Sequence, residues 1–220
     1  MKSTSPYSRS FLVLAFLLLA ARALRGGEST SGEQALARLA EGNERYVTNG
    51  AVHPRQTAER RAEVVKGQEP CAIVLTCADS RVCPEVVFDQ GLGDLFVLRN
   101  AGNVLDDHTI GSIEYAVEHL HTPLIVVMGH EKCGAVSAAV AGGHAPGRIH
   151  SIVEAIEPAI EESRSQPGDR VDNAVRANAR RMAAIIGRLQ PILQGAIQSG
   201  KVKIVAARYD LGSGRVEILK

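Results

Sequence analysis

The sequence has no excess of either charge. Its 25 Lys and Arg against 24 Asp and Glu give a formal net charge of +1, without the basic face that a nucleic-acid-binding protein carries. No internal repeat and no low-complexity linker divides it, and its one weak boundary, SRSQPGDR at 163–170, reads as a loop. The apolar run FLVLAFLLLA at 11–20 falls short of the roughly 20 residues that span a bilayer comfortably. Cysteine is sparse, at positions 71, 77, 83 and 133, and a chain of this length buries enough core not to need disulfide staples.

The N-terminus carries the marks of an export signal. Lys2 and Arg9 precede the apolar run, and Ala21-Arg22-Ala23 closes it with an A-x-A pattern. No twin arginine stands before Phe11, which points to export of the unfolded chain, with any metal loaded afterwards. The expectation is a signal peptide at 1–23 and a single domain at 24–220, periplasmic or secreted; an uncleaved N-terminal anchor is the alternative. Removing 1–23 takes away Lys2, Arg9 and Arg22 and leaves 22 basic against 24 acidic residues, net −2. After cleavage no membrane contact is expected.

SGEQALARLAEGNERYV at 31–47 spaces Leu36, Leu39 and Tyr46 as one face of a helix, with Ser31 or Ser29 as its cap. The polar segment from Pro54 to Lys66 reads as helical too, so the chain begins with a helical arm. From Cys71 the pattern changes. CAIVLTC (71–77), LFVL (95–98), LIVVM (124–128) and VKIVA (202–206) are short continuous apolar runs, the mark of strands buried on both faces in a parallel sheet. TIGSIEYAVEHL (109–120), CGAVSAAVAGG (133–143) and NAVRANARRMAAIIGRL (173–189) read as crossover helices. Gly212-Ser213-Gly214 forms a hairpin before a last strand, Val216 to Leu219, at an antiparallel edge. The fold class is α/β: a central sheet of about four parallel strands plus that edge strand, flanked by helices.

In such a sheet, ligands bind outside the carboxyl ends of the strands. TCADSRVCPE (76–85) ends the first strand with a thiol, a carboxylate and a guanidinium at alternate positions, Cys77, Asp79 and Arg81. Groups of this kind are costly to bury without partners. His130 ends another strand, with Cys133 three residues on, so all of these reach the same rim. Two thiolates and an imidazole make a normal zinc set with one position open, and the long gap between Cys77 and His130 argues for a catalytic site built by the fold over a structural finger. Asp79 then has two available roles: fourth ligand in a closed state, or hydrogen-bond acceptor for metal-bound water, with Arg81 holding it in a bidentate pair.

CADSRV followed by HEKCGAV resembles the β-class carbonic anhydrases, and GQEP (67–70), GDLFVLRNAGN (93–103), GSIEYAVEHL (111–120) and YDLGSGRV (209–216) extend the likeness over roughly residues 33–219. The resemblance implies that Cys77, His130 and Cys133 bind zinc, that Asp79 and Arg81 form the catalytic dyad, and that hydroxide generated at the metal attacks carbon dioxide. It implies a substrate pocket with Gln68 as an amide donor and Phe96, Ala101 and Tyr115 as the apolar wall, part of it from the neighbouring subunit of a homodimer or homotetramer. His119, four residues after Tyr115, falls where some members place a proton-relaying histidine. Members with a separate inhibitory bicarbonate site carry a tryptophan where this chain has Val74, and the chain has no tryptophan at all; that site is not expected. Two rivals stand beside this reading: hydrolysis of carbonyl sulfide or carbon disulfide at the same zinc, and a non-catalytic zinc or thiol redox sensor using Cys77 and Cys133.

Overall fold

The computed structural model describes residues 30–220; the signal segment expected at 1–23 lies outside the described residues. Helix α1 (Gly32–Val47) starts from Ser31 in a reciprocal capping box with Gln34. Helix α2 is shorter than the polar stretch suggests, Ala58–Val64 behind the Thr57 cap, because the residues before it run in an irregular segment with His53 and Arg55 at positive φ. Then follow β1 (Ala72–Cys77), α3 (Pro84–Val87), β2 (Leu95–Asn100), a 3-10 turn at Ala101–Asn103, α4 (Asp107–Glu118), β3 (Leu124–His130) and α5 (Gly134–Ala141). The chain ends with α6 (Ile149–Ser163), α7 (Arg170–Ile186), α8 (Leu193–Gln198), β4 (Lys203–Tyr209) and β5 (Val216–Leu219). None of the described helices is long and apolar enough to cross a membrane.

The strands form one sheet in the order β2-β1-β3-β4-β5. All neighbours are parallel except β4 and β5, which pair antiparallel. The continuous apolarity of β1 and β3 follows from burial on both faces. Ala72, Val74, Leu124, Val126 and Met128 pack under α1 and α3 through Ala35, Leu39, Val87 and Phe88. Ile73, Leu75, Ile125 and Val127 pack on the other face against Ile113 and Ala116 of α4, Met182 and Ile186 of α7, and Leu193. Beyond the carboxyl ends of β1 and β3 a third cluster gathers Cys77, Val104, Cys133, Val136, Ile156 and Val175. Helix α6 supplies Val153 and Ile156 to it; the helix runs through Pro158 and begins without a side-chain cap, so sequence signals for its ends are weak.

Helix α1 is tied down by polar contacts as well as by its apolar face. Arg45 Nε lies 2.6 Å from the buried Asp89 carboxylate, and Arg38 and Arg55 both meet Asp94. Burial pushes the Asp94 carboxyl up, but the Gly91 N–H and these guanidinium groups outweigh it and hold it below its ordinary value. Asn43, buried in α1, donates to the carbonyls of Val87 (3.0 Å) and Gly214 (2.8 Å) and accepts the Val216 N–H (2.9 Å). It thereby joins α1, α3 and the β4–β5 hairpin. Asn43→Ala should leave these backbone groups unpaired and lower unfolding free energy by about 3 kcal/mol, read as a shift in the urea midpoint at constant slope; a loss under about 0.5 kcal/mol, the scale of an ordinary surface change, would show that the three bonds contribute little.

Candidate metal centre

Cys77 is the last residue of β1 and His130 the last of β3. The ladder pairs Thr76 with Met128, which sets Cys77 level with Gly129 and one residue short of His130. A side chain at Gly129 would strike α7, since a Cβ there would stand 2.9 Å from Val175 Cγ1; glycine lets α7 close down over the strand ends. Cys133 is the residue before α5, brought back by a turn in which Lys132 takes a left-handed φ of 51°. The outcome is a buried cluster of Cys77, His130 and Cys133, whose donor atoms all lie within 4.8 Å of one another.

The cluster fits a divalent zinc ion on three observations. The two Sγ atoms are 3.9 Å apart, and sulfurs on a tetrahedral zinc with 2.3 Å bonds would be about 3.8 Å apart. His130 Nδ1 lies 2.9 Å from the Glu131 carbonyl; that oxygen can only accept, so Nδ1 carries the proton and Nε2 presents a lone pair. His130 Nε2 is buried without a hydrogen-bond partner among the described residues, an arrangement costly enough to imply a ligand. Of the thiols, Cys77 is held down, first by the hydrogen bond from Cys133 and also by the Gly102 N–H, against the cost of burial. Cys133 is pushed up, because it keeps the shared proton and is buried. All four cysteines are free thiols.

Gly102 and Arg99 complete the frame around Cys77. The Gly102 N–H donates to Cys77 Sγ at 3.4 Å, its carbonyl accepts from Asn178 Nδ2 at 2.8 Å, and its φ of 76° suits glycine. A Cβ at that position would meet Ile156 Cδ1 at 2.8 Å. Arg99 spans the loop after β1, donating from Nε to the Cys77 carbonyl (3.1 Å) and from Nη2 to the Asp79 carbonyl (2.7 Å).

Asp79 faces the cluster, its Oδ2 3.9 Å from His130 Nε2. Both oxygens are engaged by Arg81: Nε to Oδ1 at 2.9 Å, Nη2 to Oδ2 at 2.7 Å, with the Arg81 N–H also on Oδ1 at 2.9 Å. These bonds hold the Asp79 carboxyl well below the usual carboxylate range, the Arg81 side chain first among the causes.

The residues expected to line a pocket are more scattered. Ala101 opens the turn whose Gly102 reaches Cys77. Phe96 is half-buried on β2 and its ring lies 6.4 Å from that of Tyr115, which is 49% exposed and has its ring 5.2 Å from the His119 ring at a tilt of 51°. Gln68 is exposed in a shallow polar groove with Arg60, Glu63 and Lys66. No hydrogen bond among the described residues connects Gln68, Tyr115 or His119 to the cluster. Sequence reasoning passed over Arg99, Gly102, Asn178 and the Glu131 carbonyl. An arginine directly after an apolar strand was the available signal for the first; backbone donors and acceptors leave none.

Residues 72–216 match the family model described as carbonic anhydrase. Carbonic anhydrase 2 of Mycobacterium tuberculosis is 44% identical over 181 residues, covering 80% of this chain and 87% of that protein. Among solved structures, the β-carbonic anhydrase CafA of Aspergillus fumigatus superposes with a TM-score of 0.66 at 27% identity, over 84% of this chain and 89% of the other. The fold is also that of a tetrameric β-carbonic anhydrase from Sordaria macrospora, TM-score 0.67 at 23% identity, over 94% and 97% of the two chains. A mostly parallel α/β sheet carries at its carboxyl rim a buried Cys-His-Cys cluster that could hold a metal ion. The chain belongs to the β class of the carbonic anhydrase family.

Proposed function

We propose that the protein catalyses reversible hydration of carbon dioxide to bicarbonate and a proton at a zinc site formed by Cys77, His130 and Cys133. The observation that carries the assignment of the site is the unpartnered, buried Nε2 of His130 beside two thiols set at the spacing of zinc ligands. Zinc bound there would act as a Lewis acid that brings the ionisation of a water within reach of physiological pH.

The remaining steps belong to the chain. Asp79, kept ionised by Arg81, can accept a hydrogen bond but not donate one, so it orients the attacking water with its hydrogen toward the carboxylate and a lone pair free for the carbon. Arg81 occupies both Asp79 oxygens and so keeps the carboxylate from taking the ligand position itself. Phe96 and Tyr115 form an apolar surface on and beside edge strand β2, with Tyr115 half-exposed. That exposure suits a wall completed by a second copy, and we assign the protein as a homodimer, alone or paired into a tetramer. Gln68 would then orient substrate from the same interface, and His119, beside Tyr115, would carry the proton toward solvent. Export on the residue 1–23 signal, with zinc acquired afterwards, completes the reading.

Stopped-flow hydration of carbon dioxide by the zinc-loaded chain, scanned across pH, tests it. Two thiolates cancel a divalent charge that neutral histidines would leave whole, so ionisation of the water should lie above the roughly pH 7 of a three-histidine site and the rate should climb toward alkaline pH. A rate already maximal at mildly acidic pH would contradict the two-thiolate argument. Zinc at one per chain with hydration no faster than buffer at any pH would move the function to another electrophile.

A further inference from the structure

We infer that Glu131 is a positioning residue for the metal centre: its carboxylate, anchored on the β4–β5 hairpin, holds still the peptide group that fixes the His130 ring. The inference rests on the zinc site proposed above. Three groups of this residue are engaged at once. Its N–H donates to the Tyr209 carbonyl at 2.9 Å, its carbonyl accepts from His130 Nδ1 at 2.9 Å, and its Oε2 accepts the Leu211 N–H at 3.2 Å. The side chain is only 22% exposed, so the bond to Leu211 is shielded from competing water. The neighbouring Lys132 ammonium lies 3.2 Å from Oε1 but is 78% exposed, and such a surface pair adds little.

The chain needs holding here. Lys132 has a left-handed φ of 51°, a conformation a non-glycine residue keeps only when its surroundings impose it. The His130–Cys133 turn is therefore a bent segment fixed at one end by buried Cys133 and at the other by the Glu131 contacts. The platform beneath it is well braced: Asp210 accepts from Ser213 and from Arg208 at 3.0 Å, Arg208 also meets Asp172 of α7, and Asn43 holds Gly214 and Val216. If the Glu131 peptide turns, the His130 ring loses the acceptor that sets its tautomer and orientation, and Nε2 is no longer held in place as the lone-pair nitrogen. The carboxylate thus acts on the ligand through two hydrogen bonds without touching the metal or substrate.

The test compares zinc affinity, by competition with a chromophoric chelator, and the visible spectrum of the cobalt(II)-loaded protein, in the wild type, Glu131→Ala and Glu131→Gln. Glu131→Ala should bind zinc roughly 10–100-fold more weakly, the range for loss of a group that orients a metal ligand, and shift the cobalt bands. Glu131→Gln keeps an oxygen for the Leu211 N–H and should stay within a few-fold of wild type. Should the alanine variant not fold, Glu131→Asp, one methylene short of Leu211, is expected to weaken zinc in the same direction. Wild-type affinity in Glu131→Ala, or equal losses in the alanine and glutamine variants, would overturn the positioning role while leaving the zinc site standing. A wild-type chain that binds no zinc would instead overturn the metal reading, and this inference with it.

Discussion

Cys77→Ser is expected to abolish both zinc retention and carbon dioxide hydration. A serine hydroxyl does not ionise where a zinc-bound thiol does, so the site loses one of three ligands and one of the two negative charges that balance a divalent ion. Affinity should fall by more than the roughly 100-fold that marks the upper range for supporting groups. The Gly102 N–H would lose its sulfur acceptor, and Cys133 would no longer have a thiolate to which it donates. Zinc content after dialysis against a chelator, and stopped-flow rates on the same sample, measure the two effects. Cys83→Ser is the matched control: Cys83 lies 3.5 Å from Glu85 and outside the cluster, so that variant should keep metal and rate. Full zinc occupancy in Cys77→Ser would rule out the ligand assignment.

The second large effect separates metal binding from turnover. Arg81→Ala leaves Cys77, His130 and Cys133 untouched, and zinc content should remain at one per chain. Hydration should fall by on the order of 100-fold, the scale of loss when a reacting group is misplaced by about 1 Å. The reason lies in the geometry of Asp79. With Arg81 gone, one oxygen keeps only the Arg81-position backbone N–H and the other, 3.9 Å from His130 Nε2, has no remaining donor. The carboxylate is then free to rotate away from the attacking water. Because Arg81 lowers the Asp79 pKa, the pair is intact above the ordinary carboxylate range and is lost only as pH falls through the depressed value; the wild-type profile should accordingly carry no Asp79 titration near neutrality. Arg81→Lys, which keeps the charge but not the fork, should recover part of the rate. If Arg81→Ala loses zinc and activity together, the dyad is structural.

The parts of this molecule that could be read from sequence are those with a periodic or chemical signature. β1 and β3 announced themselves because both faces are buried, and the α7 pattern expected at 173–189 needed an earlier start, at Arg170 behind the Asp169 cap, and an earlier end, at Ile186. Strand β4 ran on to Tyr209 rather than stopping at Ala206, since Arg208 keeps the ladder while its charge is met by Asp172 and Asp210. Helix α6 has no capping side chain and contains Pro158, so its start leaves no sequence signature. At the metal centre, residue chemistry and strand ends picked out Cys77, His130 and Cys133, and their proximity followed from the parallel register of β1 and β3. The Gly102 N–H and the Glu131 carbonyl had no such signature, because any residue supplies a peptide group. Their roles depend on where the chain turns. Gln68, Tyr115 and His119 stay apart from the cluster within one chain, so a single sequence folded as a single chain does not complete the pocket proposed for them.

Adjacent parallel strands impose an order of events on the metal. Between β1 and β3 the sequence runs through β2, the Ala101–Asn103 turn and α4, so Cys77 and His130 lie side by side only once the two strands have paired. Bringing so distant a pair together costs loop-closure entropy, which the pairing of β1 with β3 offsets. Zinc at the proposed site is therefore expected to be captured after β1 and β3 have paired, since only then do the three ligands face one another. For a chain that crosses a membrane unfolded, that order would let the site remain harmlessly absent until the destination is reached.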